Sequence, residues 1–127
     1  MSGKFPMAPN IDKFWENLQE GKDCIGEIPK VRWDWEAFYG DPQREVNKTN
    51  IKWGGFIDGV DEFDPFFFGI SPREAELMDP QQRLLMTYIW LVLEDAGYSA
   101  SSLSGSQTGI FIGTGSSDYS SLIADAK

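Results

Sequence analysis

The chain has 127 residues, with 20 acidic against 11 basic side chains, a net charge of −9, no histidine and one cysteine. The acidic excess excludes a nucleic-acid binder, which needs Lys and Arg gathered on one face to neutralise phosphates. Without histidine these residues cannot supply a histidine base, a Ser–His or Cys–His pair or a histidine-ligated metal, and one cysteine cannot make an internal disulfide.

The length predicts one domain, and with no apolar signal core after Met1 the expected location is cytoplasmic. Met1 to Pro9, with Gly3, Pro6 and Pro9, reads as loop. Asn10 then caps a helix that ends at Gly21. Ile11, Phe14, Trp15 and Leu18 are predicted to face a core, and Asp12, Lys13, Glu16 and Asn17 to face outward. Cys24 to Pro29 reads as a short extended piece. Val31 to Tyr39 is aromatic-rich, with a helical turn after Asp34. Gly40 to Asn50 is polar and turns at Asp41-Pro42. Ile51 to Val60 has the composition of a strand, in which Gly54-Gly55 implies a bulge or a close backbone approach. In Asp61 to Gly69 an aromatic knot of Phe63, Phe66, Phe67 and Phe68 surrounds Asp64-Pro65.

Two helix starts follow in tandem. Ser71-Pro72-Arg73-Glu74 reads as a capping box, with Pro72 at a position that needs no amide. Asp79-Pro80-Gln81-Gln82 repeats the grammar, and Pro80 forces a break after Met78. The second helix runs to Ala96, where Gly97 stops it. Leu84, Leu85, Met86, Tyr88, Ile89, Trp90, Leu91, Val92 and Leu93 leave it without a polar face, so it is predicted to be buried on all sides. It is too short for a membrane span and closely bracketed by charges. Arg83, at its start, requires a carboxylate or carbonyl partner if buried, and Glu74, Glu76 and Asp79 are the structural candidates.

Tyr98 to Gln107 reads as a Ser-rich loop. Thr108 to Gly113 is the clearest strand, with Ile110, Phe111 and Ile112 consecutive and apolar, as in a strand buried on both faces. Gly113 to Ser117 is a turn, and Asp118 to Ala126 opens another helix. One strong strand cannot make a sheet, and a helix apolar all round needs more cover than this chain offers. The residues therefore predict part of a larger layered α/β unit.

No chemistry stands out from the residues alone. Gly113-Thr114-Gly115-Ser116-Ser117 sits between strand and helix, as a phosphate loop would, but Asp118 replaces the sixth-position glycine and no Lys-Ser or Lys-Thr follows. A plain tight turn is the better reading. Cys24 has Lys22 nearby, opposed by Asp23 and Glu27, and no His to pair with it, so it reads as a structural or incidental thiol. Asp58, Asp61, Glu62 and Asp64 lack the alternation and terminal Glu of a calcium loop. They read as a solvated loop in which Asp64 caps a turn.

The run GISPREAELMDPQQRLL, the LEDAGY ending and the strand TGIFIGTG closely resemble the ketosynthase domains of modular polyketide synthases. The likeness continues through FWENLQEGKDCIGEIPKVRWDW and KTNIKWGGFIDGVDEFDPFFFG, and so covers essentially the whole chain. The wording of NKTNIKWGGFIDGV and GTGSSDYSSL is most similar to ketosynthases of bacterial trans-acyltransferase assembly lines. The resemblance implies a thiolase-like fold of αβαβα layers, a homodimer, and decarboxylative Claisen condensation of a cysteine-bound acyl chain with a malonyl unit. The cofactor expectation is none of its own, the substrates being carried on the phosphopantetheine of an acyl carrier protein.

By the same resemblance this chain is expected to be an N-terminal fragment, residues 1–127, lacking the family's first strand and everything from the nucleophilic Cys onward. Cys24 falls in the family's DCI segment and is not that nucleophile. The expected partners are the acyl carrier protein and the remainder of the ketosynthase domain. Alone the fragment is expected to be inactive; the rival reading is a non-catalytic fragment that completes a domain split between chains. The loop after the strand lies near the family's acyl pocket, which implies Thr114, Ser116 and Ser117 as pocket residues. Ser71, Glu74, Asp79 and Arg83 are expected to be structural.

Overall fold

A computed structural model describes residues 1–117 and 119–125, divided into two compact units, Gly3–Asp58 and Met1–Ser2 with Gly59–Lys127. In the first unit, Phe5 and Ala8 exchange backbone hydrogen bonds of 2.8 and 2.9 Å around Met7, whose φ is +56°. Asn10 leads into α1 (Ile11–Gln19), its side chain accepting the Lys13 amide, and Gly21 ends the turn at φ +61°. Phe14 stacks on Phe5 with ring centroids 4.0 Å apart.

The buried face of α1 differs from the one its apolar spacing predicts. Asn17 is 4% exposed, whereas Trp15 is 59% and Leu18 54% exposed. The reason is a backbone group needing a partner: Asn17 Nδ2 donates to the Met7 carbonyl at 3.1 Å. A partly buried carbonyl that loses its donor forfeits the net worth of that hydrogen bond. Asn17→Ala is therefore expected to destabilise this unit by about 0.5–1.5 kcal/mol, read as a lowered urea midpoint; an unchanged midpoint would show the bond to be dispensable.

The strands β1 (Gly26–Glu27) and β2 (Trp53–Gly54) pair antiparallel, Gly26 opposite Gly54 and Glu27 opposite Trp53. The composition of residues 51–60 suggests a longer strand, but only this dipeptide has a strand partner. At Gly55 a Cβ would lie 2.9 Å from Pro6 Cγ, which is the close approach the glycine pair implies. A 3-10 turn, Trp35–Phe38, follows Asp34 and buries Trp35, with Tyr39 edge-on to it at 5.5 Å. The Asp41 carboxylate accepts the Gln43 amide and fixes the Asp41-Pro42 turn.

In the second unit Asp64 accepts the Phe67 amide at 3.1 Å. Phe68 stacks on Phe63 and meets Phe67 edge-on, and Phe67 meets Trp90 edge-on at 4.8 Å. Phe66 is exposed and pairs with no ring among the described residues. Helix α2 (Pro72–Leu77) breaks at Met78, and α3 (Pro80–Asp95) restarts after it. Gly97, at φ +76°, turns the chain so that Tyr98 N–H reaches the Leu93 carbonyl.

Two expectations fail here. No residue of α3 is buried, and Leu91 and Val92 are exposed, so a helix with no polar face is only half covered. Residues 108–113 form no strand, and Phe111 is 97% exposed. The physical cause is shared: a two-faced strand and an all-apolar helix each need flanking layers, and the described residues supply none. A third difference is small. The Ser-rich loop contains a helical turn, α4 (Ala100–Leu103), because the Ser99 hydroxyl caps the Ser102 amide. The last element is α5 (Tyr119–Asp125); Asp118 and Ala126, the predicted bounds of this helix, lie outside the described residues.

Candidate functional site

A cleft of about 270 Å³ opens in the second unit where the start of α3 faces the segment before α5. Its walls are Asp79, Gln81, Gln82 and Leu85 on one side and Thr114, Gly115 and Ser117 on the other. The local sequence explains the first wall. Pro80 begins the helix, Asp79 caps it by accepting the Gln81 amide at 2.8 Å, and Gln81 and Gln82 fill the first turn. The second wall is held to the first by Gln81 Nε2, which donates to the Gly115 carbonyl at 3.3 Å. Ser117 Oγ accepts the Tyr119 amide, and the Tyr119 hydroxyl donates to the Glu76 carbonyl at 2.5 Å.

Of the three residues implied as pocket-lining, Thr114 and Ser117 border the cleft and Ser116 does not. Sequence reasoning missed Gln81, Gln82 and Leu85. The signal was available in the Asp79-Pro80 cap, which sets the direction of the first helical turn. The cleft's lining is mainly polar, with one carboxylate, two amides, two hydroxyls and a single leucine. That set can accept and donate hydrogen bonds, but it holds no base–nucleophile pair. No group of three or more Cys, Asp or Glu residues among those described could hold a metal ion.

The Ser117 hydroxyl, then the Gln81 amide and the Arg83 charge, hold the Asp79 carboxyl below its ordinary range. A carboxyl with a lowered folded pKa stabilises the fold above its unfolded pKa of about 3.9, and that contribution is lost as pH falls through the folded value. Asp79→Asn keeps a capping oxygen but removes the titration. The variant is expected to show a flatter loss of thermal stability below about pH 4; an acid limb identical to that of the unaltered chain would overturn the assignment.

The Ser71 hydroxyl accepts the Glu74 amide at 3.2 Å. Arg83 forms no contact ion pair with Glu74, Glu76 or Asp79, in contrast to the pairing its position suggests. The Asp79 carboxylate is turned to the Gln81 amide instead, and Arg83 Nε is buried with no hydrogen-bond partner among the described residues. Cys24 is half-buried, its thiol 3.6 Å from the Lys22 carbonyl, and lies in the other unit. No helix among the described residues is long and apolar enough to cross a membrane.

Comparison with known proteins is extensive. The family profile described as "Beta-ketoacyl synthase, N-terminal domain" matches residues 1–127. Polyketide synthase PksN of Bacillus subtilis strain 168 is 66% identical over 127 residues, which is 100% of this chain and 2% of that protein. Polyketide synthase ThaG of Burkholderia thailandensis is 51% identical over 120 residues, 94% of this chain and 2% of that protein. Among solved structures, an oxazolomycin ketosynthase domain of Streptomyces albus JA3453 superposes with a TM-score of 0.77 at 44% identity, covering 82% of this chain and 18% of that one. The ketosynthase from module 6 of the bacillaene synthase of Bacillus subtilis 168 gives 0.72 at 44% identity, covering 80% and 17%. The chain thus spans a small fraction of each relative it matches.

Proposed function

Because the chain belongs to the beta-ketoacyl synthase family, we propose that it forms the N-terminal portion of a ketosynthase domain in a trans-acyltransferase polyketide synthase. Its fold class is α/β, the N-terminal portion of a thiolase-like ketosynthase. The single observation carrying the reading is the family match across all 127 residues, at 66% identity to a polyketide synthase. The complete domain condenses an acyl chain, held as a cysteine thioester, with a malonyl unit on the phosphopantetheine of an acyl carrier protein. Loss of carbon dioxide generates the carbanion that attacks the thioester carbonyl, and the cysteine thiolate leaves. The working domain is a homodimer.

Within that domain this portion acts as scaffold and pocket wall. Chemistry of this kind needs an activated thiolate and donors for the developing oxyanion. Cys24 has no base beside it, and the sequence holds no histidine. Residues 1–127 alone therefore catalyse nothing, and Thr114, Ser116 and Ser117 contribute to acyl recognition in the assembled domain.

The test is a graft. Residues 1–127 replace the corresponding segment of the module 6 bacillaene ketosynthase, and condensation of acyl and malonyl carrier-protein thioesters is followed by mass spectrometry. The chimera is expected to form the elongated product, and the 127-residue chain to form none and to take no acyl label on Cys24. A folded chimera without product, or acyl transfer to Cys24, would overturn the reading.

A further inference from the structure

Lys52 has surroundings unlike those of the other paired lysines. Its Nζ lies 5.0 Å from the centroid of the Trp35 ring, 5.8 Å from that of Tyr39 and 5.0 Å from that of Trp53. Glu27 Oε1 closes the set at 2.7 Å. All five residues belong to the Gly3–Asp58 unit, on β1, the 3-10 turn and β2 with their flanking residues. Lys13 and Lys30 also pair with carboxylates, Glu16 and Glu36, but no ring faces either ammonium among the described residues. Aromatic faces attract a cation through the ring quadrupole out to about 6 Å, and several faces around one ammonium are the chemistry that recognises quaternary ammonium ligands.

We propose that Glu27, Trp35, Tyr39 and Trp53 form an ammonium-binding cage whose resident ligand is the chain's own Lys52, and that the cage accepts a small quaternary ammonium ion when this side chain is shortened. Register builds the cage. Glu27 sits opposite Trp53 in the β ladder, and the Ile28 amide donates to the Lys52 carbonyl at 2.9 Å, so the two strands deliver carboxylate, lysine and indole together. Trp35 forms the floor, 8% exposed, while Tyr39 and Trp53 are about half exposed and leave a mouth open to solvent. The hydrogen bond to Glu27 raises the pKa of Lys52, which as an ordinary lysine is already an ammonium near neutral pH. The role of the cage is to tie the 3-10 turn to the two-stranded ladder through one cation.

Chemical rescue tests this. Lys52→Ala is expected to lower the thermal midpoint by about 5 °C. Tetramethylammonium chloride should restore at least half of that loss relative to equal sodium chloride, and should restore none in the Lys52→Ala/Trp53→Ala double variant. No recovery, or equal recovery in the double variant or with sodium chloride, would overturn the cage. A second measurement covers a variant that fails to fold. In the unaltered chain, acetic anhydride should acetylate Lys52 about tenfold more slowly than Lys4 or Lys22. Trp53→Ala should speed acetylation of Lys52 about threefold, short of the Lys4 and Lys22 rate because Glu27, Trp35 and Tyr39 remain, and Trp53→Phe should leave it unchanged. Equal labelling in the unaltered chain, or equal effects of the two Trp53 variants, would also overturn it.

Discussion

Phe111→Ala is expected to leave the stability of the 127-residue chain unchanged within about 0.5 kcal/mol, and to cost a complete ketosynthase domain about 3–5 kcal/mol. The contrast rests on one residue in two settings. Here Phe111 is 97% exposed and its segment has no strand partner among the described residues, so truncation removes contact with water and little else. In the assembled domain proposed above, Ile110, Phe111 and Ile112 form a strand covered on both faces, where loss of a phenyl ring leaves a cavity. Urea unfolding of both proteins with and without the substitution measures the difference. Equal effects in the two settings would show that the segment is not a buried strand of the larger domain. The same exposure makes residues 110–112 a template for unwanted strand pairing in the isolated chain.

Trp35→Ala is expected to cost the Gly3–Asp58 unit about 3–5 kcal/mol. Trp35 is its large buried side chain; the other strongly buried residues described in that unit are Ala8 and Asn17. The indole carries the edge-on contact to Tyr39 and the face beneath Lys52, so truncation removes apolar burial and a cation contact together. Hydrogen exchange is the direct readout. The Ile28 amide bonded to Lys52 and the Gly40 amide bonded to Thr49 flank the tryptophan, and both should lose protection in the variant. Trp35→Phe should recover part of it, because a ring is retained. Unchanged protection at both amides would mean that the unit is held by its turns and not by this core.

Local signals in the sequence translated well into local structure. Asn10, Ser71 and Asp79 each cap the helix that follows, and Gly21 and Gly97 take the left-handed conformation that ends one. These outcomes depend on hydrogen bonds within four or five residues, so no distant partner is needed to fix them. On α1, apolar spacing does not register that the turn at Met7 presents a partly buried carbonyl to the helix, and Asn17 turns inward to donate to it. The Lys52 cage was invisible for a related reason. Its members come from positions 27, 35, 39, 52 and 53, and only the β1–β2 register brings them together.

The candidate site divides in the same way. The run from Gly69 to Leu85 identified the family, and the Asp79-Pro80 cap set the direction of Gln81 and Gln82. Which loop residues face that turn was decided by the Gln81–Gly115 hydrogen bond and the Tyr119 anchor on Glu76, which bring Thr114 and Ser117 to the cleft and leave Ser116 outside it. The sequence by itself determined the family, the helix starts and stops, and the demand of α3 and residues 108–113 for covering layers. Tertiary structure alone decided how far that demand is met, because burial belongs to whichever surfaces meet, and a strand exists only where a neighbour takes its hydrogen bonds.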